Sequence, residues 1–129
     1  MTRTELKEYI QNNYGTEPDY PWGKHQNHEV YRHINNKKWF ALIMDVPKNK
    51  LGLHDDCVLD VVNLKCESIL ICSLLGENGF FPAYHMNKNS WITVALDNTV
   101  DDEKIKFLLD MSFNATASKI CKQKSDIKL

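Results

Sequence analysis

The chain has 129 residues, 43% of them hydrophobic, and its 16 basic and 17 acidic side chains leave a net charge of −1. Such a length suits one domain, the apolar fraction supports a packed core, and the composition excludes disorder, collagen-like repeats and coiled coil. A near-zero net charge recruits neither polyanions nor membranes, so any such partner has to be met by a local patch.

Thr2 followed three residues later by Glu5 is a capping-box pattern, and Leu6, Tyr9 and Ile10 recur at helical spacing. They predict a helix to about Asn13, ended by Gly15, with Pro18 and Pro21 keeping the next stretch irregular. Val30–Ile34 and Trp39–Val46 predict a β-hairpin, with turn chemistry from Asn35 and Asn36 and a stop at Pro47. Val58–Leu64 reads as a third strand. Ser68–Leu75 is too apolar for a surface helix and is expected to be packed, with Gly76 past its end and Cys72 as a small core residue. Glu77-Asn78-Gly79 is a turn. Trp91–Leu96 alternates, with Ile92, Val94 and Leu96 on one side and Trp91, Thr93 and Ala95 on the other. Thr99 and Asp102 are a cap pair for a last helix through Ile105, Leu108, Leu109 and Ser112, whose first-turn acids suit the helix dipole.

The order helix, three strands, helix, strand, helix predicts an α+β two-layer sandwich, an antiparallel sheet with helices packed on one face. One domain is expected over residues 1–118, with a basic, frayed tail over 119–129. The sheet face away from the helices then carries Trp91 and Thr93, together with either Trp39 and Ile43 or Phe40 and Leu42. Tryptophans on a half-open face make a binding surface or a dimer contact. No apolar run is long enough to span a bilayer, the N-terminus has no signal segment, and Cys57, Cys66, Cys72 and Cys121 have no close pairing pattern. A cytosolic protein with reduced thiols and no membrane partner is the expectation.

Three sets of residues carry potential chemistry. From Tyr20 to Phe40, Lys24, Arg32, Lys37 and Lys38 stand against the single acid Glu29, with Tyr20, Trp22, Tyr31 and Trp39 interleaved. Cations beside rings suit nucleic acid, where charges meet phosphates and rings stack on bases. The structural alternative is a solvated hairpin tip over core aromatics. From Phe80 to Trp91 a loop dense in Tyr, His, Asn and Lys looks like a site. His85 there lacks a partner carboxylate or an activated nucleophile, so no catalytic residue is assigned. His25, His28, His33, Cys57 and Cys66 are conceivable zinc ligands, but no cysteine pair has the spacing of a structural site, and neither a metal nor a cofactor is expected.

The strings PWG at 21–23, VYRHINNKKWFAL at 30–42, LK at 64–65 and FPAYHMNKNSWITVALD at 81–97 resemble the MmcQ/YjbR family of small bacterial proteins. The resemblance runs from the first helix to Ser112-Phe113, and its most specific part is the PxYHMNKxxW stretch. Its motif positions fall on Pro21, Trp22, Gly23, Lys37, Phe40, Lys65, Pro82, Tyr84, His85, Met86, Asn87, Lys88 and Trp91. The chain departs from the pattern at Ala83, where glycine is usual, and at Ser90, where histidine is common. The resemblance implies a CyaY-like (frataxin-like) sandwich and DNA binding, the latter by likeness to a double-wing domain of a phage transcription factor.

A DNA-binding or regulatory protein is therefore the first expectation. Arg32, Lys37, Lys38, Lys65 and Lys88 are its phosphate-binding candidates, and Trp22, Trp39, His85 and Trp91 its stacking or packing groups. The alternatives are a small-molecule binder or an enzyme using the Tyr84–Trp91 loop, and a protein-interaction module using the tryptophan face. Geometry separates the first two: His85 and Lys88 lining a concave pocket with Trp91 favours a small ligand, whereas Lys37, Lys65 and Lys88 in one convex stripe favour nucleic acid.

Overall fold

A computed structural model describes residues 1–23 and 27–118. Lys24, His25, Cys121 and the basic tail expected over 119–129 lie outside the described residues.

Helix α1 spans Arg3–Tyr14. The Thr2 hydroxyl accepts from the Glu5 N–H while the Glu5 carboxylate accepts from the Thr2 N–H, so the capping box closes in both directions, and Gly15 ends the helix in the left-handed conformation at φ 65°. Strands β1 (Glu29–Arg32), β2 (Trp39–Pro47) and β3 (Val58–Lys65) follow, then the short helix α2 (Ser68–Leu74), strands β4 (Phe80–Pro82) and β5 (Trp91–Ala95), and helix α3 (Asp102–Thr116). The five strands form one antiparallel sheet in the order β1-β2-β3-β5-β4. Three helices and an open antiparallel sheet make the α+β fold expected from the sequence.

All three helices pack on one face. Leu6 and Ile10 of α1, Ile71 and Leu74 of α2, and Ile105, Leu108 and Leu109 of α3 meet Phe40, Ile43, Val62, Leu64, Ile92 and Val94 of the sheet. Each such fully buried side chain contributes roughly 1.5–3 kcal/mol. The N-terminal ammonium pairs with Asp102 at 2.7 Å, and the Tyr14 ring packs on Phe113 at 4.7 Å, so α1 and α3 lie side by side and parallel. Buried Glu29 receives Arg3 at 3.1 Å and Lys7 at 3.3 Å, which ties α1 to the edge strand β1.

Several local expectations are corrected. Strand β4 was not anticipated; its three residues are too short for a period to register. Helix α2 buries only Ile71 and Leu74, while Ile69 is 84% exposed and Cys72 is exposed rather than in the core. The hairpin turn places its left-handed residue at Lys37 (φ 62°), and Asn36 contributes through its side chain, which accepts from the Lys38 N–H at 2.9 Å. Asp101, not Thr99, is the N-cap of α3.

Candidate functional site

The sheet face turned away from the helices has its own apolar layer of Val30, Leu42, Met44, Val46, Leu59, Val61 and Ala95, with Trp39, Phe81, Tyr84 and Met86 packed against it. Trp91 and Thr93 lie on this face, as the alternation of β5 requires. On β2 neither expected pairing occurs. Tyr31 pairs with Ala41 and Arg32 with Trp39, leaving Phe40 as an extra residue in a β-bulge. The bulge sends Phe40 into the helical core with Ile43 and leaves Trp39 on the open face with Leu42.

Trp39 is the centre of the site. The Trp22 ring meets it edge-on at 5.8 Å and meets His28 at 5.4 Å. Together with Leu42, Met44, His85 and Met86 these residues line a concave pocket of about 440 Å³. Burial pushes the His28 imidazole below its ordinary value, against the upward pull of Asp45. Neutral imidazole offers this apolar pocket one donor and one acceptor.

His85 and Met86 bring the segment from Ala83 to Ser90 to the pocket's edge, and buried polar groups hold that segment in place. The Tyr84 N–H donates to the Thr93 hydroxyl at 3.0 Å, the Asn63 amide donates to the Tyr84 carbonyl at 2.9 Å, and the Thr93 hydroxyl donates to the Asn63 Oδ1. Asn63 and Thr93 have no exposed surface. Lys88 Nζ donates to the Ala83 carbonyl at 3.0 Å, closing the loop on itself. Between these anchors His85 takes φ 61°, a left-handed backbone that a non-glycine residue adopts at a cost. Its ring lies against Tyr84 at 3.9 Å and faces the pocket.

A second groove, of about 370 Å³, adjoins the first and shares Trp39 and Met86 with it. Its other lining residues are Lys38, Lys65, Trp91, Ala115 and Thr116, with no carboxylate among them. Lys65 Nζ sits 5.7 Å over the Trp91 ring, a cation–π contact. The main-chain N–H of Lys65 donates to Ser112 Oγ at 2.9 Å, and that hydroxyl donates to the carbonyl of Phe40, the bulge residue, at 2.6 Å.

Of the residues singled out from sequence, Trp22, Trp39 and His85 line the pocket, and Lys38, Lys65 and Trp91 line the groove. Arg32 stacks on Trp39 at 5.6 Å and is paired with Asp19 at 2.9 Å. Lys88 turns to its own loop and Lys37 stands on the hairpin tip, so neither lines either cavity. The histidines diverge: His28 faces the pocket, whereas His33 packs between Phe40 and Phe113 on the helical side. Among the described residues no three His, Cys, Asp or Glu side chains gather to hold a metal ion, and no helix is long and apolar enough to cross a membrane. The sequence puts Thr93 on the open face without a role, gives Asn63 none, and offers His28 only as a conceivable metal ligand.

The family model described as YjbR matches residues 11–115, an interval holding every lining residue of both cavities except Thr116. The chain belongs to the YjbR family. This YjbR protein is 40% identical over 116 residues to YyaQ of Bacillus subtilis (strain 168), described as uncharacterized, covering 90% of this chain and 98% of that protein. A crystal structure of a Pseudomonas syringae protein superposes with a TM-score of 0.88 at 43% identity, over 91% of this chain and all of that one. Protein DR2400 of Deinococcus radiodurans, at 21% identity and a TM-score of 0.69, covers 92% of this chain and 80% of its own; it shares the fold. The YjbR match thus accounts for the resemblance carried by the motif strings, and those strings supply Trp22, Trp39, His85, Met86, Lys65 and Trp91 to the two cavities.

Proposed function

We propose that this protein binds a small ligand and receives its flat, apolar part in the pocket between Trp22, Trp39 and His85. The observation that carries this reading is the pocket itself. At about 440 Å³ it falls within the roughly 300–1,000 Å³ of ligand sites, and it joins an apolar floor to two convergent imidazoles. Two further features support it. Trp22 remains 47% exposed at the rim, where a ligand would bury it, and His85 is held in a strained backbone that points its ring inward. The test is titration with 2-naphthol, a neutral bicyclic probe, followed by tryptophan fluorescence and thermal unfolding. Saturable quenching with a rise in Tm of about 2 °C or more is expected. No quenching and no rise in Tm at millimolar probe would overturn it.

DNA binding is the second reading. It is favoured by Lys37, Lys38 and Lys65, which have no acidic partner among the described residues, and by Lys38 and Lys65 lining one groove with Trp39 and Trp91. Fluorescence anisotropy with a labelled duplex tests it. Three phosphate contacts give a log–log salt slope near −3. Absence of binding at micromolar protein and low salt removes it.

A further inference from the structure

We infer that the ligand is an aromatic anion, its ring in the tryptophan pocket and its anionic group in the adjoining groove between Lys38 and Lys65. This rests on the small-ligand reading above and extends it to a chemical class. Trp39 and Met86 border both cavities, so the two lie side by side, and the ring and the anionic group of one molecule would sit on either side of this pair.

Their chemistry is complementary rather than similar. The pocket is apolar, with two histidines; the groove is lined by two lysines and no carboxylate residue. Among the described residues most of the other cations already pair with an acid: Arg3, Lys7, Arg32, Lys48, Lys104 and Lys106. Lys38 and Lys65 have no such partner among the described residues, so an incoming anion breaks no ion pair of those residues to reach them.

Lys65 is also preorganised. Its main chain is fixed by Ser112 and its ammonium rests over Trp91, so an anion meets a charge already in place. A ring alone would leave that groove to water; an anion alone would leave the apolar pocket empty. An anionic group a bond or two beyond a fused or single ring fills both. Carboxylate and phosphate monoester heads share this chemistry.

The experiment compares dissociation constants for 2-naphthol, 2-naphthoate and 2-naphthyl phosphate at neutral pH and low salt. At least one anion is expected to bind about tenfold more tightly than 2-naphthol, as a charge-assisted hydrogen bond provides. The anion that exceeds 2-naphthol by the larger factor names the head group. Lys38→Gln combined with Lys65→Gln is expected to bring that ratio to within about twofold, as is raising NaCl toward molar concentration. Lys50→Gln, an exposed lysine outside both cavities, keeps the ratio. Lys38→Gln alone, at an exposed position, lowers the ratio partway and serves if the double variant does not fold. If 2-naphthol binds and neither anion exceeds it, or the lysine variants leave the ratio unmoved, the anionic class is wrong while the aromatic pocket stands. If none of the three binds, the pocket reading fails and this inference fails with it.

Discussion

The Asn63 side-chain amide donates to the main-chain carbonyl of Tyr84 across 2.9 Å, although Asn63 is on a central strand and Tyr84 is in the loop over the open face. With the Thr93 hydroxyl accepting from the Tyr84 N–H, both polar groups of one loop residue are satisfied by fully buried side chains of the sheet. The neighbouring His85 is consequently fixed in its left-handed conformation over the pocket.

Asn63→Leu removes the clasp, leaving the Tyr84 carbonyl without its donor and the buried Thr93 hydroxyl without an acceptor for its proton. A loss of about 1–3 kcal/mol is expected from urea unfolding. The Tyr84 amide should also exchange faster with solvent, because the loop opens without the whole protein unfolding. Unchanged exchange at Tyr84 would mean that the loop is held by something else.

Ser112→Ala orphans the Lys65 N–H and the Phe40 carbonyl together, since one hydroxyl serves both. The β2–β3 pairing ends at Ala41 opposite Leu64, and the hydroxyl bridges the next two residues, Phe40 and Lys65. Destabilisation of about 1–3 kcal/mol by chemical denaturation is expected. A change under about 0.5 kcal/mol would show that water replaces the hydroxyl freely.

Trp22→Ala separates binding from stability. The ring is 47% exposed and touches Trp39 and His28 by its edge, so thermal unfolding should change little, by about 0.5 kcal/mol or less. Loss of a pocket wall should nevertheless weaken 2-naphthol binding by about tenfold, from the stacking area removed. Retained affinity would move the ligand away from this wall.

Stability should fall in mild acid. Burial holds the His33 imidazole below its ordinary value of 6.5, and His28 shifts the same way for the same reason. His33 Nε2 lies 2.9 Å from the Phe113 carbonyl, which can only accept, so the neutral ring carries its proton there. A histidine with a depressed native pKa is protonated more readily in the unfolded chain. Its contribution is therefore complete above about pH 6.5 and is lost as the pH falls through the lowered native value. Thermal unfolding from pH 7.5 down to about 5 checks this, and His33→Asn should flatten the profile. An unaltered profile in that variant would assign the acid sensitivity to His28 or to carboxylates.

Much of the fold was legible because its signals are local. Thr2 and Glu5 are three residues apart, Gly15 follows the helix directly, and the alternation from Trp91 to Ala95 survives intact in β5. The bulge is not local: it depends on how β1 aligns with β2, so neither face assignment for Trp39 and Phe40 could include it. Ile69 and Cys72 misled because an apolar residue states a preference for burial without stating that a neighbour covers it.

The site was legible as a set of rings and less so as a set of charges. Trp22, Trp39 and His85 converge from three parts of the chain. Whether a cation is available depends on partners that only the fold supplies: Arg32 finds Asp19, and Lys88 finds a carbonyl of its own loop. The sequence puts Thr93 on the open face but shows no role for it or for Asn63, because a polar residue in a strand ordinarily marks a solvated face, and here the covering loop turns that face into an interior.

The most direct test of a ligand pocket on the open face uses the four methionines, in a methyl-labelled NMR titration with 2-naphthol. Met44 and Met86 line the pocket, whereas Met1 and Met111 pack on the helical side. Saturable shifts of the Met44 and Met86 methyl signals, with Met1 and Met111 unmoved, are the expected result. Four stationary signals, or four that drift together without saturating, would contradict it.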